Sequence, residues 1–212
     1  MLLLYSKISE HFHENIIEKY LNYFDKDFQR KILSYRRWQD AQLSLIGRVL
    51  LLKLFEENGI SSDEINNIHY NKFGKPFLKG NSLFFNISHS SDIVVCVISN
   101  KCEIGIDIEV ISDIEISDFE SQFTEKEWNK IISSNNKKDT FFDYWTQKEA
   151  VVKANGNGLM LSLKSFDILE NKAVINGENY YLKEIKIDEQ YKCYISKKMN
   201  IFEISIKEIS IG

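Results

Sequence analysis

The chain has 212 residues, 43% of them hydrophobic and 27% charged, with a formal net charge of −4. That length can bury one large core or two small ones, and the acidic balance excludes a nucleic-acid binder working through a global basic field. Residues 1–80 carry 12 Lys/Arg against 10 Asp/Glu and the remainder 15 against 21, so the first part suits an anion and the second a cation, although a solvated surface explains the asymmetry as well.

Met1–Lys7 is apolar but too short for a signal peptide and reads as a first strand. Residues 14–24, with Ile16, Ile17, Tyr20, Leu21 and Phe24, and residues 35–57, ending at Asn58-Gly59, have helical spacing. Leu83–Ser88 and Ile93–Ser99 are β-rich runs, and a turn at Ser99-Asn100-Lys101 leads to a strand over 102–110, so an antiparallel meander is expected. Helices follow at 124–134 and Asp139–Ala154, the second stopped by Asn155-Gly156-Asn157-Gly158. The tail returns to strands at Tyr180–Ile187, Tyr191–Ser196 and Phe202–Ile209. This order predicts an α+β fold of two similar halves, 1–103 and 104–212. No run approaches the roughly 18 apolar residues of a membrane span. Cys96, Cys102 and Cys193 lack paired metal-ligand spacing and are odd in number, against both zinc and a disulfide framework. The expected compartment is the cytoplasm, with no membrane and no nucleic-acid partner.

The chemistry concentrates in two segments. In Ile104-Gly105-Ile106-Asp107-Ile108-Glu109 the isoleucines alternate with Gly105, Asp107 and Glu109, the period of a half-buried strand, so both carboxylates leave one face. Like charges so placed repel, and a hard divalent cation is one common way to offset them. In the helix around Trp145–Lys153, Glu149 and Lys153 lie four apart. A surface ion pair explains that spacing, yet Phe141, Phe142, Tyr144, Trp145, Val151 and Val152 put the pair near a core boundary, where unpaired charge is expensive.

Three further groups have anion-binding chemistry. Asn86-Ile87-Ser88-His89-Ser90 reads as a local turn or as a phosphate clasp of hydroxyl and imidazole donors. Lys75 precedes Pro76, whose ring restricts the backbone that aims the ammonium, but the segment lacks the glycines and Ser/Thr of a P-loop. Arg36 and Arg37 near the second helix offer bidentate donors or simply a solvated face.

Gly74-Lys75-Pro76, Phe85–Ser90, Ile104–Glu109, Phe123-Thr124-Glu125-Lys126-Glu127-Trp128 and Trp145–Lys153 together resemble the 4′-phosphopantetheinyl transferases, in order and approximate spacing, and the length resembles their single-chain, Sfp-type branch. The resemblance implies a monomeric pseudo-dimer of two α+β halves that binds coenzyme A and Mg²⁺ at their junction. It implies transfer of 4′-phosphopantetheine from coenzyme A to a serine of an apo acyl or peptidyl carrier protein, activating fatty acid, polyketide or nonribosomal peptide synthesis. By the same resemblance Asp107, Glu109 and Glu149 are metal ligands, with Glu127 supporting them. Lys153 contacts the transferred phosphate, and Glu149 or a metal-bound water accepts the serine proton. Lys75, Ser88 and His89 hold coenzyme A phosphates, and Arg36 or Arg37 lies near its 3′-phosphate or adenine. The alternatives are a metal-dependent phosphohydrolase acting on coenzyme A, with water as the nucleophile, and a non-catalytic binding module.

Overall fold

The computed structural model describes residues 1–80, 83–200 and 203–212, with only the backbone of Leu159. It divides into two compact units, Met1–His69 with Pro76–Asn100 and Glu203–Gly212, and Tyr70–Lys75 with Lys101–Phe202.

In the first unit β1 (Leu2–Lys7) leads to α1 (His13–Tyr20), α2 (Lys26–Ser34) and α3 (Trp38–Glu57). The expected helix over 14–24 gives way to a 3₁₀ turn at Leu21–Tyr23. Sequence periodicity missed α2, although Asp25 carried a cap signal: its carboxylate accepts from the amides of Asp27 and Phe28. On α3, leucines, isoleucine, valine and phenylalanine are buried around most of the circumference, the mark of a core helix rather than an amphipathic one. Its buried Gln42 is satisfied by the backbone of Ser9, through Oε1 at 2.7 Å and Nε2 at 3.0 Å. After the short ribbon of β2 (Ile68–Tyr70) and β3 (Pro76–Leu78) come β4 (Phe84–Ser90) and β5 (Ile93–Ser99). Every residue of β5 is buried, as a continuous apolar run requires of a central strand.

The second unit contains β6 (Ile104–Val110), α4 (Glu125–Ser133), α5 (Lys137–Asn155), β7 (Lys172–Ile175), β8 (Glu178–Glu184) and β9 (Tyr191–Lys197). Among the described residues its sheet runs β6-β9-β8-β7, antiparallel throughout. Asn176 and Gly177, both at positive φ, close the β7–β8 hairpin. The last strand, β10 (Ser205–Glu208), returns to the first unit and pairs parallel with β1, giving the order β10-β1-β5-β4. Phe202, where that strand was expected to begin, lies outside the described residues.

The expected meander is therefore only partly formed. β4 and β5 make the hairpin, but β6 pairs with β9 in the other sheet. The reason is occupancy: β1 and β4 already fill both edges of β5, leaving no backbone donors or acceptors for a third neighbour. The α+β class and the two similarly organised halves are present. Each half lays one long, largely buried helix, α3 or α5, on a four-stranded sheet, the plan of a pseudo-dimer.

Candidate active site

Gly105 sets the geometry of the second unit. A β-carbon built there would lie 2.2 Å from the carbonyl oxygen of Ala150 and 2.3 Å from the amide of Ala154, so only glycine lets α5 come this close to β6. Asp107 and Glu109 follow at two-residue steps on the same face of β6. The strand is not half-buried as its alternation suggested, because residues from Ile104 to Ile108 are buried on both faces. The face carrying Gly105 and Asp107 is covered by α5 instead of water.

Lys153 reaches across from the last turn of α5, and its Nζ donates to Asp107 Oδ1 at 2.6 Å. The ammonium thus pairs with the strand carboxylate across the helix–sheet contact. Burial raises the Glu149 carboxyl above its ordinary value, the negative charge of Asp107 adds to the rise, and Lys153 offsets part of it. Glu109 lies opposite Lys192 in the β6–β9 ladder, and the Lys192 ammonium is 3.0 Å from Asp139. Asp107 lies opposite Tyr194, whose hydroxyl donates to Asp143 Oδ1 at 2.5 Å. Burial raises the Asp143 carboxyl, and the Tyr194 bond partly offsets this.

Hard oxygen donors are the right chemistry for a divalent cation, and the repulsion between Asp107 and Glu149 is what such an ion would relieve. Among the described residues, however, no three His, Cys, Asp or Glu side chains are gathered in a metal-holding group.

Glu127, expected to support the metal ligands, sits at the centre of a local network. It closes a capping box with Thr124 at the start of α4, accepts from the Ile168 amide at 2.8 Å, and pairs with Lys148 at 2.8 Å. Lys148 spends its other donors on the carbonyls of Leu163 and Phe166, at 2.8 and 2.7 Å. This closed knot ties α4 and α5 to the 163–168 segment. Sequence reasoning gave Lys148 no role, although it lies inside the Trp145–Lys153 motif; its burial appears only once α5 packs against the 163–168 segment.

Lys75, in the second unit, caps the end of α5. Its ammonium pairs with Glu103 and donates to the Ala154 carbonyl at 3.2 Å, while Asn71 Nδ2 donates to the carbonyl of Gly156 at 3.0 Å. Gly156 holds the left-handed φ of +80° that terminates the helix. Asn71 Oδ1 also accepts from the amides of Phe73 and Lys75, both at 2.9 Å, so Asn71 shapes the turn that delivers Lys75.

The remaining predicted residues belong to the first unit. Ser88 and His89 lie within β4, not in a turn; the turn comes at Ser91, with φ of +51°. As neighbours in a strand they project to opposite faces, Ser88 buried and His89 exposed. Arg37 precedes α3, with Nε 3.9 Å from Asp40. Arg36 lines a cavity of about 560 Å³ with His13, Ile17, Tyr35 and Trp38.

Two family models match the chain. One, described as the 4′-phosphopantetheinyl transferase superfamily, covers residues 103–198, and the other, 4′-phosphopantetheinyl transferase, N-terminal, covers residues 12–101. The chain is 34% identical over 200 residues to the 4′-phosphopantetheinyl transferase gsp of Aneurinibacillus migulanus, an alignment covering 90% of this chain and 83% of the relative. It is 26% identical to the 4′-phosphopantetheinyl transferase Sfp of Bacillus subtilis (strain 168), covering 82% of each. With the L-aminoadipate-semialdehyde dehydrogenase-phosphopantetheinyl transferase of Xenopus laevis it shares 35% identity over 170 residues, 72% of this chain and 56% of the relative. The β6 carboxylates and the α5 lysine thus lie in a chain matched by such transferases over nearly its whole length, and it belongs to the 4′-phosphopantetheinyl transferase family, moving phosphopantetheine from coenzyme A to a serine of a carrier protein.

Proposed function

We propose that the transfer depends on Mg²⁺ held by Asp107, Glu109 and Glu149, and that Lys153 acts on the phosphate being transferred. The observation that carries this reading is the convergence of Asp107, Glu149 and Lys153: a 2.6 Å ion pair beside a second carboxylate whose proton affinity is raised by burial and by Asp107. Once bound, Mg²⁺ would supply positive charge to the nonbridging and leaving oxygens of the pyrophosphate.

The chain's own residues do the rest. Glu149, with its raised proton affinity, is suited to take the proton from the carrier serine hydroxyl. The serine oxygen then bonds to the β-phosphorus, the bond from that phosphorus to the bridging oxygen breaks, and 3′,5′-ADP departs with the electron pair. Lys153 places an ammonium against the charge that develops on the phosphate, a contribution made in the transition state. Lys75, Ser88 and His89 would contact coenzyme A phosphates, and Arg36 or Arg37 its 3′-phosphate or adenine. The protein would work as a cytoplasmic monomer on an apo acyl or peptidyl carrier protein of fatty acid, polyketide or nonribosomal peptide synthesis. Among the described residues no helix is long and apolar enough to cross a membrane.

Intact-protein mass spectrometry of an apo carrier protein, incubated with this protein, coenzyme A and Mg²⁺, tests the reading. Phosphopantetheine on the carrier serine and an equal amount of 3′,5′-ADP are expected, both suppressed by EDTA. Free 4′-phosphopantetheine accumulating at the same rate with or without carrier would favour the hydrolase.

A further inference from the structure

Asp107 is 3% exposed, and a buried carboxylate is stable as an anion only beside a compensating charge. That charge is the Lys153 ammonium, donating to Oδ1 at 2.6 Å. The same ammonium offsets part of the unfavourable setting of Glu149. The Lys153 ammonium therefore bears on both carboxylates, while no three potential ligands among the described residues are gathered for a metal. The Lys153 side chain is 29% exposed and rides on a flexible four-carbon stem, so it has a way out.

We propose that Lys153 is an internal surrogate cation: in the free enzyme it occupies the position on Asp107 that the divalent ion takes, and it leaves for a coenzyme A phosphate when the ion arrives. This rests on the reading of Asp107 and Glu149 as metal ligands. The site then never holds two uncompensated carboxylates, and the metal and coenzyme A help each other to bind, because each favours the displaced position of Lys153. Such coupling is reciprocal. If the Lys153–Asp107 pair outnumbers the open form about ten to one, the apparent affinity of the free enzyme for the metal is about tenfold weaker than its intrinsic affinity.

The test is titration with Mn²⁺ in the absence of coenzyme A, read by the electron paramagnetic resonance signal of the free ion. Lys153→Gln should tighten Mn²⁺ binding about tenfold, Lys153→Arg should leave it near the wild-type value, and Asp107→Asn should remove it. Circular dichroism checks that each variant is folded. Should Lys153→Gln fail to fold, the wild-type protein still decides: the ζ-¹⁵N signal of Lys153, assigned by its absence from Lys153→Arg, must shift on saturation with Mg²⁺. Mn²⁺ binding that is lost in Asp107→Asn but equal in Lys153→Gln and wild type would overturn the exchange and leave the metal reading standing, as would an unmoved Lys153 signal at saturating Mg²⁺. No Mn²⁺ bound by any form, with or without coenzyme A, would overturn both.

Discussion

Lys148 and Glu127 form an ion pair at 2.8 Å with side chains 0% and 2% exposed. Burial lowers the proton affinity of Lys148, and its bond to Glu127 works against that. Every donor of the ammonium is used. Lys148→Met should therefore destabilise the protein by about 3–5 kcal/mol, because Glu127 keeps a buried charge with no cation. Lys148→Met combined with Glu127→Gln should recover part of the loss. Urea denaturation of the single and double variants measures both, and an unaltered midpoint in the single variant would rule out a structural role for the pair.

The close approach at Gly105 leads to a second expectation. The atoms that a β-carbon would meet are backbone atoms of α5, which cannot turn aside as a side chain can. Gly105→Ala must move the helix that carries Glu149 and Lys153. A stability loss of about 1–3 kcal/mol should accompany a fall in kcat larger than the change in KM for coenzyme A. Retention of wild-type stability and rate would mean that α5 does not sit against β6 as described.

Glu149 provides the pH test. Its folded-state proton affinity is raised, by burial first and by Asp107 second, so between the ordinary and the raised value the folded state binds more protons than the unfolded state. Stability relative to a non-titrating variant is then highest in acid and falls as pH rises through that window. Glu149→Gln should melt above wild type at pH 7–8 in metal-free buffer, with the gap closing as pH drops toward the ordinary carboxylate range. A gap that widens in acid would contradict the direction of the shift.

Lys75 separates a structural role from a binding role. Lys75→Met removes the bond to the Ala154 carbonyl and the pairing with Glu103. Glu103 is 42% exposed and can be hydrated, so the stability loss should be only about 1–2 kcal/mol. If Lys75 also holds coenzyme A phosphate, KM for coenzyme A should rise severalfold. An unchanged melting temperature would argue against the helix cap, and an unchanged KM against the phosphate contact.

Much of this protein is determined locally by its sequence. Strand period put Asp107 and Glu109 on one face of β6, Gly156 supplied the left-handed stop for α5, and Thr124 with Glu127 wrote the capping box of α4. Each depends on backbone geometry a few residues long, so spacing suffices to read it. Two other local signals were present but passed over: the Asp25 cap before α2, a helix whose apolar residues are only Phe28, Ile32 and Leu33, and Asn176-Gly177 between β7 and β8.

Pairing and partnership were decided by tertiary structure. The occupied edges of β5 sent β6 to β9, and β10 came back from the end of the chain to β1. Spacing placed Lys153 one turn after Glu149, yet the ammonium settled on Asp107 at 2.6 Å, and Glu127 met Lys148 at 2.8 Å. Sequence sets which ionisable group a side chain carries and the face from which it leaves. Which opposite charge it meets depends on which buried group most needs compensation, and that need arises only when helix and sheet close together and exclude water.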